Sequence, residues 1–70
     1  MMFADIEKAR REMDVTARVL CDRAGVDPAA YSQFRRGRRD PRESTLRKLA
    51  QAVDRLKAER QEAGNAGSAA

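Results

Sequence analysis

The sequence predicts a small all-α protein, and three features of the chain support that fold class. Residues that favour helices, such as Ala, Arg, Glu and Leu, dominate its 70 positions. Residues with β-branched side chains are few and scattered, which argues against strands. Apolar residues recur three and four positions apart, as they do along the buried face of a helix. A chain of this length forms one domain with a modest core, and we expect four to five helices in it.

The first predicted helix covers residues 1–13. Its apolar residues follow a spacing of three, three and four, and they are Phe3, Ile6, Ala9 and Met13. The same spacing turns a set of charged side chains toward solvent, namely Glu7, Lys8, Arg11 and Glu12. We therefore expect one face of this helix to pack on the core and the other to stay hydrated.

A second helix is predicted from Ala17 to about Ala24, between two local signals. Thr16 precedes it, and the threonine hydroxyl can accept hydrogen bonds from the first amides of the helix. Gly25 follows it, at the position where helices often end in a left-handed residue. The side chains expected to face inward are Val19, Leu20 and Ala24.

A third helix follows after a turn of three residues. Asp27 can cap it, and Pro28 suits its first position because that position needs no amide donor. Tyr31 and Phe34 are three apart and should pack inward beside the apolar residues of the second helix. Two short helices joined by a tight turn form a predicted helix-turn-helix at about residues 17–36.

Gly37 should end the third helix, and Pro41 prevents its continuation. A fourth helix is predicted at residues 43–59, with either Asp40 or Ser44 as its cap. Its apolar stripe consists of Leu46, Leu49, Ala50, Val53 and Leu56. The last residues are small and polar or neutral, so we expect a domain of residues 1–62 followed by a flexible tail of residues 63–70.

Composition and charge narrow the possible functions. Fifteen Lys and Arg residues against eleven Asp and Glu give a net charge of +4, which favours a polyanionic partner. The chain has no His and a single cysteine, Cys21, which we expect to be a buried thiol. No catalytic constellation, metal cluster or phosphate-binding glycine loop is present, so we predict a non-enzyme without cofactor, metal or small-molecule effector. We see no signal peptide or membrane span and expect a cytoplasmic protein.

Linked positions along the chain, rather than one motif, carry a resemblance to a known family. They are Arg10, Val15-Thr16, Leu20-Cys21, Ala24-Gly25-Val26, Tyr31-Ser32, Phe34, Gly37, Pro41, Thr45-Leu46 and Leu49-Ala50. Over about residues 6–56, the chain resembles the lambda-repressor-like helix-turn-helix family, the Cro and xenobiotic-response-element type of small bacterial and phage regulator. The resemblance implies a compact DNA-binding domain whose third helix reads DNA.

Three positions depart from the pattern of that family. Ala17 stands where a glutamine usually touches phosphate, and Pro28 stands where a polar residue usually reads a base. Arg35 replaces a glutamate that usually pairs with the arginine at position 10. The pairing of Arg10 must therefore be lost or rerouted, and the candidate partners are Glu12, Asp14 and Glu43.

The predicted DNA contacts fall into two groups. Side chains on the third helix can meet base edges in the major groove, and we expect Ala29, Ala30, Ser32, Gln33 and Arg36 there. Cationic and hydroxyl side chains around it can hold phosphates, and we expect Thr16, Arg18, Arg35, Arg38, Arg39 and Arg42 there. Because the base-reading group contains few long polar side chains, DNA shape should contribute much of the specificity.

The predicted function is sequence-specific binding of double-stranded DNA by a bacterial or phage-encoded transcriptional regulator at the nucleoid. We expect a repressor that acts by occupying a palindromic operator as a homodimer. A possible symmetric contact involves Phe3, Ala52 and Leu56. Two alternatives stay open: an antitoxin or accessory protein-interaction module on a helix-turn-helix scaffold, and single-strand binding through Tyr31 and Phe34.

Overall fold

The computed structural model describes residues 2–69, with side chains described for residues 2–61. It contains four helices: α1 (Phe3–Glu12), α2 (Ala17–Ala24), α3 (Pro28–Arg35) and α4 (Glu43–Ala69). No strand occurs in the described range, and the predicted all-α class is confirmed. The long helix α4 packs against both α1 and α2, and α3 packs against α2.

One apolar core lies between the helices. Its buried members are Ile6, Ala9, Met13, Leu20, Cys21, Tyr31, Leu49, Ala52, Val53 and Leu56. This confirms the spacing-based prediction for the first helix and for most of the stripe on the fourth. Burial of a single Leu, Ile or Val side chain contributes about 1.5–3 kcal/mol, so a core of this size can hold three short helices against the longer α4.

The prediction that Cys21 is buried is confirmed. Burial raises the pKa of its thiol, because the charged thiolate is disfavoured away from water. The side chain therefore behaves as a small apolar core residue.

The prediction that Val19 faces inward is wrong, because this side chain is 43% exposed. A helix turns about 100° per residue, so Ala17, Leu20 and Ala24 share one face. Val19 falls on the opposite side of α2. Cys21, which lies beside Leu20 on the inward face, takes its place in the core.

The predicted ends of the short helices are confirmed. The Thr16 hydroxyl accepts a hydrogen bond from the amide of Val19 at 3.2 Å, and the Asp27 carboxylate accepts one from the amide of Ala29 at 3.0 Å. Pro28 is the first residue of α3, as predicted. Gly25 follows α2 with a left-handed φ of 70°, a conformation that costs other residues about 1–2 kcal/mol.

The fourth helix starts at the predicted residue, and it differs from the prediction in its cap and in where it ends. It begins at Glu43, directly after Arg42, whose carbonyl accepts from the amide of Leu46 at 2.9 Å. Ser44 therefore lies inside the first turn rather than at the cap, and Asp40 lies too far ahead of it. The backbone stays helical to Ala69, beyond the predicted end at residue 59. That residues 63–70 are flexible remains a prediction.

The end of α1 holds a residue in an uncommon backbone conformation. Asp14 has a φ of 57°, in the left-handed region that favours glycine. Its amide donates to the carbonyl of Arg11 at 3.0 Å, and the amide of Val15 donates to that of Arg10 at 3.1 Å. This pair of bonds is the Schellman ending, which requires a left-handed residue at this position.

We expect the Asp14→Gly variant to be more stable than the wild type by roughly 0.5–1 kcal/mol. Glycine removes the left-handed strain of about 1–2 kcal/mol, and part of that gain is offset by its greater freedom in the unfolded chain. Urea unfolding followed by circular dichroism measures the difference. The matched control is Asp22→Gly at an exposed position within α2, which should lower stability by about 0.3 kcal/mol, because glycine is a poorer helix former than aspartate. Equal or lower stability of Asp14→Gly would contradict the role assigned to the strain.

Candidate nucleic-acid interface

The outward face of α3 is built from side chains at helical spacing. Ala29, Gln33 and Arg36 are four and three positions apart, all are exposed, and they lie along one line of the helix surface. Ala30 and Ser32 are half-buried and flank that line. The structure thus brings the five predicted base-contacting residues onto one side of α3, while their contacts with bases remain a prediction.

The inward face of α3 is anchored by Tyr31, which is 1% exposed. Its ring lies 5.0 Å from the ring of Phe3, centroid to centroid. Phe34 is half-buried and packs against the same Phe3 ring at 5.9 Å, nearly edge to face. Because Tyr31 is enclosed in the core and Phe34 packs against Phe3, the structure argues against the single-strand alternative, which needs both rings free to stack on bases.

The hydroxyl of Tyr31 donates a hydrogen bond to Oε1 of Glu7 at 2.5 Å. Glu7 is 9% exposed, so the prediction that this side chain faces solvent is wrong. The reason is tertiary: α3 lies over this part of α1 and supplies the carboxylate with a buried donor. Burial and the bond to Glu7 raise the pKa of Tyr31, which keeps its hydroxyl protonated as a donor.

Arg10 provides the charge that makes a buried carboxylate tolerable. Its Nε and Nη2 atoms donate to the two oxygens of Glu7, each at 3.0 Å. The hydrogen bonds from Arg10 outweigh desolvation and lower the pKa of Glu7, and the same contact raises the pKa of Arg10. Arg11 adds a longer contact to Glu7 at 3.5 Å. The rerouted partner of Arg10 is therefore Glu7.

The expectation that Arg10 pairs with Glu12, Asp14 or Glu43 is wrong. The spacing of three positions between Glu7 and Arg10 places their side chains side by side on a helix, and this signal was present in the sequence. Arg10 also reaches forward, because its Nη1 donates to the carbonyl of Val15 at 2.9 Å. Val15 precedes Thr16, so the network reaches the start of α2.

Cationic side chains are concentrated after the outward face of α3. The exposed arginines in this segment are Arg35, Arg36, Arg38, Arg39 and Arg42. Gly37, with a φ of 74°, ends the helix and turns the chain so that the amide of Arg38 donates to the carbonyl of Gln33 at 3.0 Å. The guanidinium of Arg39 lies 6.0 Å from the ring centroid of Phe34, a cation–π distance that favours one orientation of the arginine.

The start of α2 carries the remaining predicted phosphate contacts. Thr16 and Arg18 are both exposed there, near the positive end of the helix dipole. Ala17 is half-buried and packs on the core, and its methyl group has no hydrogen-bonding atom to offer a phosphate where the resemblance expects glutamine.

The residues proposed for a symmetric contact lie mainly inside the chain. Ala52 is 3% exposed and Leu56 is 8% exposed, and both belong to the core. Phe3 is half-buried against the rings of α3. These side chains therefore offer little apolar surface to a second copy, and the dimer remains a prediction.

The chain has the parts of a helix-turn-helix protein: a short helix, a tight turn and a second helix with an exposed face. A cationic loop follows them. Residues 6–55 match the protein-family model described as helix-turn-helix, and the chain belongs to this lambda-repressor-like helix-turn-helix family. Its general class is therefore that of DNA-binding transcriptional regulators, and members of this family are generally not enzymes. No curated protein and no solved structure matches the chain. Across the described residues, no helix combines the length and apolar character of a membrane span.

We expect Tyr31→Phe to lower the free energy of unfolding by about 1–2 kcal/mol. The variant keeps the ring in the core but removes one donor from a buried carboxylate, and hydrogen bonds to charged groups are worth about 1.5–3 kcal/mol. Denaturant unfolding of the two proteins measures this loss. Unchanged stability would show that the hydroxyl is dispensable and that Arg10 alone satisfies Glu7.

The lowered pKa of Glu7 predicts acid-dependent stability. Because folding holds this group in its charged form, the stabilisation is fully present above its ordinary pKa of 4.5 and is lost as pH falls through the folded-state pKa. Glu7→Gln should therefore be less stable than the wild type at neutral pH, with a gap that narrows in acid. Unfolding midpoints measured across the acid range give this gap, and a gap independent of pH would contradict the role of the charge.

Proposed function

We propose that the protein is a sequence-specific regulator that places α3 in the major groove of double-stranded DNA. One observation carries this proposal: the line of Ala29, Gln33 and Arg36 is exposed, while Tyr31 fixes the opposite face of the same helix in the core. The major groove is about 12 Å wide, which admits an α-helix. A helix that is held rigidly from behind can present its outward side chains to base edges in one register.

The side chains along this line differ in what they can read. Gln33 carries both a donor and an acceptor, which suits the edge of adenine, and Arg36 can donate two parallel hydrogen bonds to guanine. Ala29 and Ala30 offer methyl groups to thymine, and Ser32 can bond to a base or to the backbone. Because three of these five side chains are short, the α3 backbone can approach closely, and DNA shape would supply further discrimination.

The arginines that follow α3 would supply most of the affinity. These arginines lie at the end of α3, and Thr16 and Arg18 lie at the start of the neighbouring helix α2. The two groups therefore border α3 on two sides. Contacts to phosphates fix the position of a protein on DNA without reading its sequence, and they release counterions when they form. Affinity should therefore depend steeply on salt.

One copy of this unit reads only a few base pairs, so we propose that two copies bind a palindromic operator as a homodimer. A dimer seated over a promoter would exclude polymerase, which makes the protein a repressor. We place it in the cytoplasm of a bacterium, at the nucleoid. Residues 1–62 would form the DNA-binding domain, with residues 63–70 as a flexible tail.

Selection of bound DNA from a random pool, followed by gel shifts, tests the proposal. We expect one preferred half-site, with affinity reduced for Gln33→Ala and Arg36→Ala by roughly five- to a hundredfold, because a good base contact is worth about 1–3 kcal/mol. Arg36→Ala should also relax the preference at one base position. The matched control is Arg55→Ala on α4, which removes the same charge beside Arg23 and Gln51, away from α3.

The salt dependence of the same binding supplies a second readout. If a dimer makes about eight phosphate contacts, log affinity should fall with log salt at a slope of about −7. Weak binding without sequence preference, together with tight co-purification of a protein partner, would overturn the regulator proposal in favour of an antitoxin or accessory module.

A further inference from the structure

A groove of about 520 Å³ lies beside the last turn of α3, between that turn and the surface of α1. The side chains that give it its character are Phe3, Glu7, Lys8, Arg11, Glu12 and Arg35. Neither Lys8 nor Arg11 belongs to the predicted DNA contacts. Arg35 belongs to both the groove and the arginine cluster, so the groove is continuous with the proposed interface.

Positive charge prevails in this groove. Lys8, Arg11 and Arg35 contribute three exposed cations. Of the two acids, Glu7 is compensated by its paired hydrogen bonds from Arg10, and its contact with Arg11 at 3.5 Å leaves that arginine side chain 72% exposed. Glu12 is left to oppose the three cations. The lining therefore complements an anionic ligand, and a neutral or cationic one would gain nothing from it.

The position of Arg35 indicates which anion passes here. It is the last residue of α3, and a helix in the major groove has a sugar-phosphate strand on either side. Arg35 shares the groove with Lys8 and Arg11, so a strand that meets Arg35 at the end of α3 could continue along the groove toward them. Phe3 lines the groove and is half-buried, and the small part of it that stays exposed is apolar, as a contact with a deoxyribose requires.

We propose that this groove binds the sugar-phosphate backbone of the DNA that flanks the bases read by α3. The inference rests on the proposed function and extends its footprint onto α1. Lys8 and Arg11 are the phosphate ligands that it adds, and Glu12 is an acid that weakens them. The groove therefore gives the protein a requirement for duplex length in addition to its requirement for sequence.

Two duplexes that contain the selected site test this proposal. One ends at the outermost selected bases, and the other extends about five base pairs further on each side, roughly half a helical turn. The wild type should bind the long duplex more tightly. Lys8→Ala/Arg11→Ala should bind the long duplex roughly tenfold more weakly than the wild type does and the short duplex equally well. Its salt slope on the long duplex should be shallower by about 2 per protomer.

Two further variants sharpen the experiment. Lys48→Ala/Arg55→Ala removes one lysine and one arginine from exposed positions on α4 beside the end of α2, and it should leave the preference for length unchanged. Glu12→Gln removes the opposing charge and should tighten binding to the long duplex alone. Circular dichroism confirms that each variant is folded.

The outcomes separate this proposal from the function on which it rests. Loss of all sequence preference in the wild type would overturn the regulator itself. Sequence-specific binding that is equal on both duplexes, or equal losses for the α1 and α4 double variants, would overturn only the role of the groove.

Discussion

The orientation of α3 depends on one buried carboxylate. Glu7 lies almost out of solvent, and an isolated charge in such a place costs several kcal/mol. The cost is offset because Arg10 donates twice to its two oxygens and Tyr31 donates once. The two partners connect Glu7 to different helices, since Arg10 continues to the carbonyl of Val15 before α2 and Tyr31 carries the buried face of α3. Loss of Arg10 would leave a buried, uncompensated charge and would remove the link to the start of α2, whereas loss of the Tyr31 hydroxyl would remove the link to α3.

Much of the fold follows from signals that act over a few residues. The hydroxyl of Thr16, the Asp27-Pro28 pair and the left-handed Gly25 set the ends of α2 and α3 through local hydrogen bonds and backbone sterics, so the sequence predicts them well. The core positions of α1 and α4 follow from helical spacing for the same reason. The outward line of Ala29, Gln33 and Arg36 on α3 was also predictable. Once Tyr31 is expected in the core, helical geometry places these residues on the opposite face.

The rest depends on contacts between distant parts of the chain. Glu7 and Tyr31 are 24 residues apart, and no local pattern indicates that a charged residue on a polar stretch will accept a buried hydroxyl. The pairing of Glu7 with Arg10 has a local signal, but the same spacing is common in pairs that stay exposed to solvent. The prediction for Val19 failed for a different reason. Apolar character alone does not decide burial, and the position of Val19 around the axis of α2 places its side chain outside the core.

The relocation of the acid changes the electrostatics at the end of α3, which we propose faces DNA. In the family pattern, the carboxylate that pairs with the arginine of the first helix comes from the last turn of the third. Here Glu7 supplies that carboxylate from α1. Position 35 carries an arginine, which reverses the charge at that position. The ion pair between Glu7 and Arg10 and the proposed phosphate contact of Arg35 therefore involve different side chains. Arg10 is satisfied within the fold, and Arg35 stays exposed at the edge of the groove, where its charge adds to the field that a phosphate backbone meets.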